Sequence, residues 1–482
     1  MLRPPDVAPP LALLFLALGA APGCKDKGSS DDTGQPATDG GGTGPYAAPL
    51  RPVEPAPWTA PGSVDLASFP WGPQAGDPTQ DSVILSVRTG LAEVTGVVMA
   101  DDGAGGWVEV ARPTLTRDKG SGDKGSVVAR ATLTGLSADT VYAWAAYPGV
   151  LDGDPDATAA RSAVGRFRTA TGPGAFRQLT LATTSCLGGN EPLSNMSFGA
   201  ARAPDLGLLL GDTVYADGAV TLEEYRAFYD AAFAVQGLSD FTTAAGNVST
   251  WDDHEVLNNW VTEALQPGQL DAALLAFREA LPQGQGPTGG IWRQQSWGDI
   301  LDIFVLDVRS ERDAATGLYI GAEQEAWLLA GLEASPAAFK MVVTSVPITD
   351  YDDFLGPLAA DDRWQGWPEQ RERVLGAIED AGVSGVFWLA GDVHFATVST
   401  VGIPGTDGPG QAMWELAVGP AGRSPNVAAD LYEHDGSHYL YMFSDFNTAM
   451  LTLDPGRMEL HVEFLGDDGA AIQTTTLALG GT

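Results

Sequence analysis

The sequence predicts an α/β domain that is preceded by a smaller all-β region. From Phe176 onward, short apolar segments alternate with stretches of helical periodicity, and this alternation is typical of a layered α/β domain. Between residues 67 and 170 the segments are short, rich in β-branched and aromatic residues, and separated by turn residues at regular spacing. That second pattern is typical of a small β-sandwich. A chain of 482 residues has room for two or three domains.

The first 62 residues predict export and a flexible connection. Residues 1–23 combine one early positive charge, Arg3, with an apolar run and then small residues, which is the pattern of a signal peptide. Cys24 follows as the lipidated cysteine of a bacterial lipoprotein would, and plain secretion is the alternative. Residues 24–62 are rich in Gly, Asp, Ser, Thr and Pro and predict a disordered tether. We therefore expect the protein in the cell envelope, held to a membrane only through Cys24.

The predicted β-sandwich covers residues 63–172. Its predicted strands lie at 83–87, 96–99, 107–110, 127–133 and 141–144. Residues 135–142 resemble a corner of the fibronectin type III and immunoglobulin-like sandwiches. Such a module carries no chemistry of its own, so we expect a structural or positioning role.

The predicted α/β domain covers residues 173–482. Its predicted strands lie at 179–183, 206–210, 247–251, 300–306, 340–346 and 385–389, and its predicted helices at 222–234, 270–280, 322–332 and 368–381. Further strand-like segments follow at 439–443, 449–453 and 458–464.

The charge balance excludes one class of partner. The formal net charge is −36, and only 26 residues are Lys or Arg. Such a chain has no basic footprint for nucleic acid and repels polyanions at long range. If the substrate is anionic, local positive charge must come from a metal or a few arginines.

Potential metal ligands follow four of the predicted strands. The segments are Ser185-Cys186, Gly211-Asp212-Thr213-Val214-Tyr215, Asp252-Asp253-His254-Glu255 and Gly391-Asp392-Val393-His394. One such ending is common, because Asp is a turn residue. Four of them in one domain predict a shared site, since ligands collect at the carboxyl ends of strands in an open α/β sheet. The carboxylate of Asp212 and the phenolate of Tyr215 suit a hard trivalent cation.

Motifs along nearly the whole mature chain extend this pattern. They include Phe69 to Pro78, Trp297-Gly298, Leu306 to Ser310, Gln324 to Leu328, Asp362 to Trp367 and Gln370 to Arg373. Together with the strand ends, and in the same order, they resemble the PhoD-like alkaline phosphatases and phosphodiesterases, a family of metallophosphoesterases. The resemblance implies a four-layer α/β/β/α sandwich that hydrolyses phosphate esters.

The resemblance also implies roles for individual residues. Cys186, Asp212, Tyr215 and His394 would hold Fe³⁺, and Asp212 would bridge to Ca²⁺ held by Asp253, Asp392 and either Asp252 or a following asparagine. This division agrees with the ligand preferences of the two ions. His254 would lie near the leaving group. The chain lacks the arginine pair of a twin-arginine signal, so Sec export is expected, and Zn or Mn is then an alternative metal.

The residues themselves leave the role of Arg309 open. A guanidinium group matches phosphate geometry, so Arg309 is a candidate phosphate clamp. It is equally a candidate for a structural ion pair with Asp307.

Three functions are consistent with the sequence. The first is a tethered hydrolase of phosphate monoesters or diesters, and the second is a phospholipase-like phosphodiesterase acting on membrane lipids. The third is a non-catalytic surface-binding protein that keeps the fold, although such a protein has no need for this ligand set. We expect a monomer.

Overall fold

Two β-sheets face each other across the largest apolar core of the molecule. The computed structural model describes residues 48–117, 125–351, 354, 360–434 and 436–479. The predicted signal peptide, Cys24 and the first part of the predicted tether lie outside these residues.

The amino-terminal strands are β1 (Ser63–Val64), β2 (Gln74–Gly76), β3 (Ser82–Arg88), β4 (Glu93–Asp101), β5 (Trp107–Ala111), β6 (Thr114–Arg117), β7 (Val128–Thr134), β8 (Val141–Pro148), β9 (Ala160–Arg161) and β10 (Gly165–Arg168). The following strands are β11 (Leu179–Thr184), β12 (Leu206–Leu209), β13 (Gly246–Ser249), β14 (Arg293–Trp297), β15 (Leu301–Val305), β16 (Phe339–Val343), β17 (Val386–Ala390), β18 (Ala396–Thr400), β19 (Trp414–Ala417), β20 (Tyr439–Phe443), β21 (Thr448–Asp454), β22 (Glu459–Leu465) and β23 (Ala471–Ala478). The α-helices are α1 (Ser194–Ala201), α2 (Leu222–Phe233), α3 (Gln236–Ala244), α4 (Gln269–Ala280), α5 (Ala322–Ala334) and α6 (Pro368–Asp380).

The two facing sheets have a parallel centre. Sheet 1 runs β10-β8-β4-β6-β7-β3-β2-β13-β12-β11-β21-β22-β23, with β5 beside β4. Sheet 2 runs β14-β15-β16-β17-β19-β18-β20. Strands β11, β12 and β13 are mutually parallel, and so are β15, β16, β17 and β19. Their carboxyl ends therefore gather at one edge of each sheet.

Helices cover the outer face of each sheet. Between the sheets, Leu208 of β12 and Ile303 of β15 belong to one buried apolar cluster with residues from eleven further strands. Outside sheet 1, Leu209 packs in a cluster with residues of α1 to α4. Outside sheet 2, Phe304 packs with residues of α5 and α6. The order of the layers is helix, sheet, sheet and helix, so the predicted mixed α/β fold is confirmed.

Local sequence signals place several helix ends. Thr221 and Glu224 form a capping box that satisfies backbone N–H groups at the start of α2. Pro368 occupies the first turn of α6, where its missing N–H costs nothing. None of the helices in the described part of the chain has the length and hydropathy needed to cross a bilayer.

The predicted boundary at residue 172 does not separate two sheets. Strand β2 pairs in parallel with β13, with Ala75 opposite Gly246. Strands β2 to β8 and β10 therefore continue sheet 1, whereas β1 and β9 pair with each other. The described residues belong to one compact unit. A separate small all-β domain is not confirmed. Sequence periodicity reports which residues form strands, but it does not report which strands pair.

The predicted tether ends too late at residue 62, because residues 48–62 lie against the folded body. The amide of Ala48 donates to Asp454 at 3.2 Å, and the Glu54 carboxylate forms an ion pair with Arg168 at 2.8 Å. The hydroxyl of Tyr147 donates to the carbonyl of Pro61 at 2.9 Å. The Pro-rich composition predicted disorder, but side chains from distant strands hold this segment against the folded body.

Candidate metal centre

Four loops at the carboxyl ends of strands bring the predicted ligands together. Cys186 follows β11, Asp212 and Tyr215 follow β12, Asp252 and Asp253 follow β13, and Asp392 and His394 follow β17. Three of these strands are neighbours in sheet 1, and the fourth lies in sheet 2. The site therefore lies where the carboxyl edges of the two sheets meet.

The first cluster contains Cys186, Asp212 and His394. Potential ligand atoms of these residues all lie within 4.8 Å of one another. The hydroxyl of Tyr215 donates to Asp212 Oδ2 at 2.9 Å and lies 3.1 Å from Nε2 of His394. A thiol, a carboxylate, a phenol and an imidazole thus converge on one point.

The second cluster contains Asp252, Asp253 and Asp392, again with ligand atoms within 4.8 Å of one another. Asp212 also lies within this distance of Asp253 and His254, so it connects the two clusters. One buried oxygen of Asp252 and one of Asp253 have no hydrogen-bond partner. Unpartnered buried carboxylate oxygens are costly, and a cation is the partner that this arrangement fits.

The backbone at the site is strained. Cys186, Asp212, Asp392 and His394 all have left-handed backbone conformations, with φ of 56°, 54°, 67° and 57°. Each non-glycine residue in such a conformation costs on the order of 1–3 kcal/mol. The buried strands before these loops hold the geometry, which places Cys186, Asp212 and His394 in the first cluster and Asp392 in the second.

Two glycines allow the loops to approach closely. A Cβ atom at Gly211 would lie 2.6 Å from Cβ of Asp252, and one at Gly391 would lie 2.6 Å from the side chain of Ser185. Both contacts are too short for any larger residue. The Gly-Asp motifs in the sequence therefore serve packing as well as turning.

Electrostatics favour a cation at the shared point. Burial, reinforced by Asp253 and its acidic neighbours, raises the pKa of Asp212 well above its usual value, and burial with Asp252 does the same for Asp392. Burial together with Asp212 raises the pKa of the Cys186 thiol. Burial, together with His254, lowers the pKa of His394 to about 4, so its imidazole is neutral at pH 7, as a metal ligand requires. The donor set fits two cations that share Asp212.

Comparison with known proteins identifies the family. A profile of the PhoD-like phosphatases matches residues 181–462, which is more than half of the chain and includes every predicted ligand. The chain belongs to the PhoD-like phosphatase family. The resemblance inferred from the motifs is thereby confirmed.

Individual relatives agree with this assignment. Alkaline phosphatase D of Bacillus subtilis (strain 168) is 27% identical over 401 residues, which cover 70% of this chain and 66% of that protein. The chain thus spans slightly less than two thirds of that relative. A solved structure of PhoD superimposes with a TM-score of 0.71 at 22% identity and covers 87% of this chain and 90% of that one. A purple acid phosphatase from yellow lupin (Lupinus luteus) seeds shares the fold, with a TM-score of 0.60, 13% identity, and coverage of 85% and 75%.

Arg309 is not available as a phosphate clamp in this PhoD-like site. Its side chain has no exposed surface; Nε donates to Asp252 and Nη1 to Asp362, each at 2.5 Å. Nη2 lies 3.5 Å from Asp392. The predicted structural alternative is also wrong in detail, because Asp307 accepts from the backbone N–H of Arg309 rather than from its guanidinium. Arg309 is a buried counter-ion for the carboxylates of the second cluster.

His254 lies beside the first cluster and has a carboxylate partner. Its ring packs against Tyr215 with centroids 4.2 Å apart, and its Nδ1 lies 2.8 Å from Asp217. Burial would lower the pKa of His254, but the hydrogen bond to Asp217 and the charge of Asp253 outweigh it and raise the pKa. Asp217 therefore favours the protonated imidazole and fixes the orientation of the ring.

Glu255 joins two of the ligand loops. It is fully buried and accepts hydrogen bonds from the backbone N–H groups of Asp212 (3.1 Å), Thr213 (2.6 Å) and Asp252 (2.9 Å). Burial raises the pKa of Glu255 to about 7 despite these bonds. The residue sets the separation between the loop after β12 and the loop after β13.

Arg423 is a cation at the site that sequence reasoning missed. Its guanidinium carbon lies 4.2 Å above the ring of Tyr215, and its backbone N–H donates to the carbonyl of Cys186 at 2.9 Å. It is only partly buried, and within the described residues its guanidinium has no ion pair. Basic residues are scarce in this chain, but no local sequence motif distinguishes Arg423 from the other arginines.

Proposed function

We propose that the protein is a metal-dependent hydrolase of phosphoric esters, exported and held at the cell envelope through Cys24. One observation carries the proposal: Asp212 connects two adjoining ligand clusters, and these contain two buried carboxylate oxygens that have no hydrogen-bond partner. Membership of the PhoD-like phosphatase family supports the same reaction class. Monoesters and diesters are both candidate substrates.

In this proposal, Cys186, Asp212, Tyr215 and His394 hold Fe³⁺, and Asp212, Asp252, Asp253 and Asp392 hold Ca²⁺. When bound, the two ions would supply charge neutralisation and a hydroxide at neutral pH. The strained loops and the buried carboxylates pre-position the donor atoms. Zn or Mn is the alternative metal, because thiolate and imidazole donors also suit Zn and carboxylate donors also suit Mn.

Arg423 binds the phosphoryl group in this proposal. Its guanidinium lies over Tyr215 at the edge of the first cluster and is free to form paired N–H bonds with phosphate oxygens. In a chain with a net charge of −36, this local cation offsets the repulsion of an anionic ester. Arg309 contributes indirectly by keeping the second-cluster carboxylates in place.

His254 acts as the general acid. It is held by Asp217 next to Tyr215, and its protonated form is favoured. Proton donation to the departing alkoxide by such a group contributes about 10²–10⁴-fold to the rate. The leaving group is therefore expected on the side of the site that His254 and Tyr215 share.

The decisive experiment combines metal analysis with hydrolysis. The full-length protein is analysed for Fe and Ca, its visible spectrum is recorded, and turnover of p-nitrophenyl phosphate and bis(p-nitrophenyl) phosphate is measured. We expect bound iron, a tyrosinate-to-iron absorption band that is lost in Tyr215→Phe, and turnover of at least one ester. The ratio of the two rates separates monoesterase from diesterase activity.

Other outcomes would change the proposal in defined ways. A colourless, iron-free but active protein would keep the reaction and overturn the metal assignment. A protein that stays inactive after loading with Fe and Ca would contradict the hydrolase and favour a binding protein with the same fold. Labelling with radioactive palmitate, compared between the native chain and Cys24→Ser, tests the lipid anchor separately.

A further inference from the structure

An apolar pocket lies directly beside the first ligand cluster. Its volume is about 180 Å³. It lies between the loop after β11, the loop after β12 and the carboxyl-terminal half of α2. The larger apolar residues that line it are Leu187, Leu193, Val214, Phe228, Val235 and Leu238.

Buried apolar residues form the inner wall of the pocket, and exposed residues surround its opening. Leu187, Leu193 and Leu238 are almost completely buried, so the floor is fixed by the core of the protein. Phe228 is 38% exposed and presents an aromatic surface to solvent. The charged residue of the lining is Glu191, which is exposed and disfavours an anionic occupant. An uncharged apolar group is the ligand that this lining fits.

Tyr215 joins the pocket to the reacting centre. Its side chain lines the pocket, while its hydroxyl is hydrogen-bonded to Asp212 and close to His394. The ring also packs against His254, the residue proposed to protonate the leaving oxygen. Tyr215 is therefore the residue that contacts the pocket, the first ligand cluster and the proposed general acid.

We propose that this pocket is a subsite for the alcohol portion of the substrate, and that the preferred alcohol is an unbranched alkyl chain. This inference rests on the proposed phosphoesterase function. At about 30 Å³ per methylene-sized group, comparable to the volume of one water molecule, the pocket holds about six carbons. The substrate class is then a phosphate ester of an apolar alcohol rather than of a charged one.

A homologous series of substrates tests the subsite. Full-length, metal-loaded protein is assayed by phosphate release from ethyl to octyl phosphate, esters whose alcohols have nearly equal acidity. Burial of apolar surface predicts that kcat/KM rises about two- to fourfold per methylene and stops rising near six carbons, when the pocket is full. Any increase in kcat/KM is then due to the length of the alkyl chain, because the chemical step is the same throughout the series.

Two matched variants locate the effect. Ala231 lines the pocket from α2, so Ala231→Leu fills part of it and should bring the plateau about three carbons earlier. Ala227 is exposed on the same helix and outside the pocket lining, so Ala227→Leu should leave both activity and plateau unchanged. Both substitutions replace one good helix former with another, so α2 is expected to remain folded.

The outcomes separate the subsite from the reaction. If kcat/KM is flat from ethyl to octyl phosphate, or if Ala231→Leu behaves like Ala227→Leu, the subsite is refuted while the hydrolase proposal stands. If the loaded protein hydrolyses p-nitrophenyl esters but none of the alkyl esters, the subsite is refuted while the hydrolase proposal stands. If it hydrolyses none of the alkyl esters, p-nitrophenyl phosphate and bis(p-nitrophenyl) phosphate, the hydrolase proposal fails and the subsite fails with it. A plateau that moves only in Ala231→Leu supports the subsite.

Discussion

Replacing Arg309 with Met should destabilise the metal-free protein strongly and the metal-loaded protein much less. The Arg309 guanidinium is fully buried and forms ion pairs with Asp252 and Asp362, each at 2.5 Å. Burial would lower its pKa, but Asp252, Asp362 and Asp253 outweigh burial and raise the pKa, so the charge is permanent. Breaking a buried ion pair by removing one partner costs about 3–5 kcal/mol, because the other charge is left buried without compensation.

Bound cations should reduce that cost. A cation at the second cluster would neutralise Asp252 and Asp392, and Asp362 would keep its ion pair with Arg312 at 2.9 Å. The remaining loss is then mainly one hydrogen bond to a charged group, worth about 1.5–3 kcal/mol. The difference between the losses of unfolding free energy without and with metal therefore measures how much of the carboxylate charge the cations neutralise in place of Arg309.

Urea unfolding followed by tryptophan fluorescence measures both losses, because the chain has 13 tryptophans. The native protein and Arg309→Met are compared after chelation and after reloading with metal. Arg373→Met is the matched control: Arg373 pairs with Glu325 at 2.7 Å but is 49% exposed, so its loss should stay within about 0–1 kcal/mol. A loss below 1 kcal/mol in the chelated Arg309 variant, or an equal loss with and without metal, would refute this reasoning.

Three further substitutions test the site. Asp217→Asn removes the carboxylate that raises the pKa of His254; since the general acid must be protonated, the alkaline limb of kcat should move to lower pH, and an unchanged pH profile would contradict the role of His254. Arg423→Met should lower kcat/KM about 10- to 100-fold at unchanged metal content, as expected for loss of charged hydrogen bonds to phosphate, whereas full activity would exclude contact with the substrate. Glu255→Gln replaces one carboxylate oxygen by an amide NH₂, which cannot accept from the backbone N–H groups of Thr213 or of Asp212 and Asp252. Metal affinity should therefore fall about 10- to 100-fold in an equilibrium titration. An unchanged affinity would show that the loops hold their spacing without Glu255.

Sequence periodicity predicted the central strands well because they are buried on both faces. The predicted strand at 179–183 corresponds to Leu179–Thr184, and the one at 385–389 to Val386–Ala390. Helices α1 and α3 were missed, since Ser, Asn, Gly and Thr are weak helix formers and these two helices depend on packing against each other and against sheet 1. Tertiary packing decides such elements, and it is not visible in a local window of sequence.

The candidate ligands were found because each follows a buried strand, whereas their partners were not. Arg309 lies 57 residues from Asp252 and 53 from Asp362 along the chain, so no local pattern indicates these ion pairs. Asp217 and Arg423 are isolated charges whose neighbours come from other loops. Residues that bind directly to a site leave motifs at strand ends, while residues that support them are selected by three-dimensional contacts.

Because β2 pairs with β13, the amino-terminal strands cover an edge of the parallel part of sheet 1. Without residues 63–168, β13 would become the edge of sheet 1, and its unpaired N–H and C=O groups would be open to strands of other molecules. That edge lies next to the loop with Asp252 and Asp253. A chain that begins at residue 173 is therefore expected to self-associate through β13. The amino-terminal region thus prevents aggregation at the sheet edge nearest the metal centre.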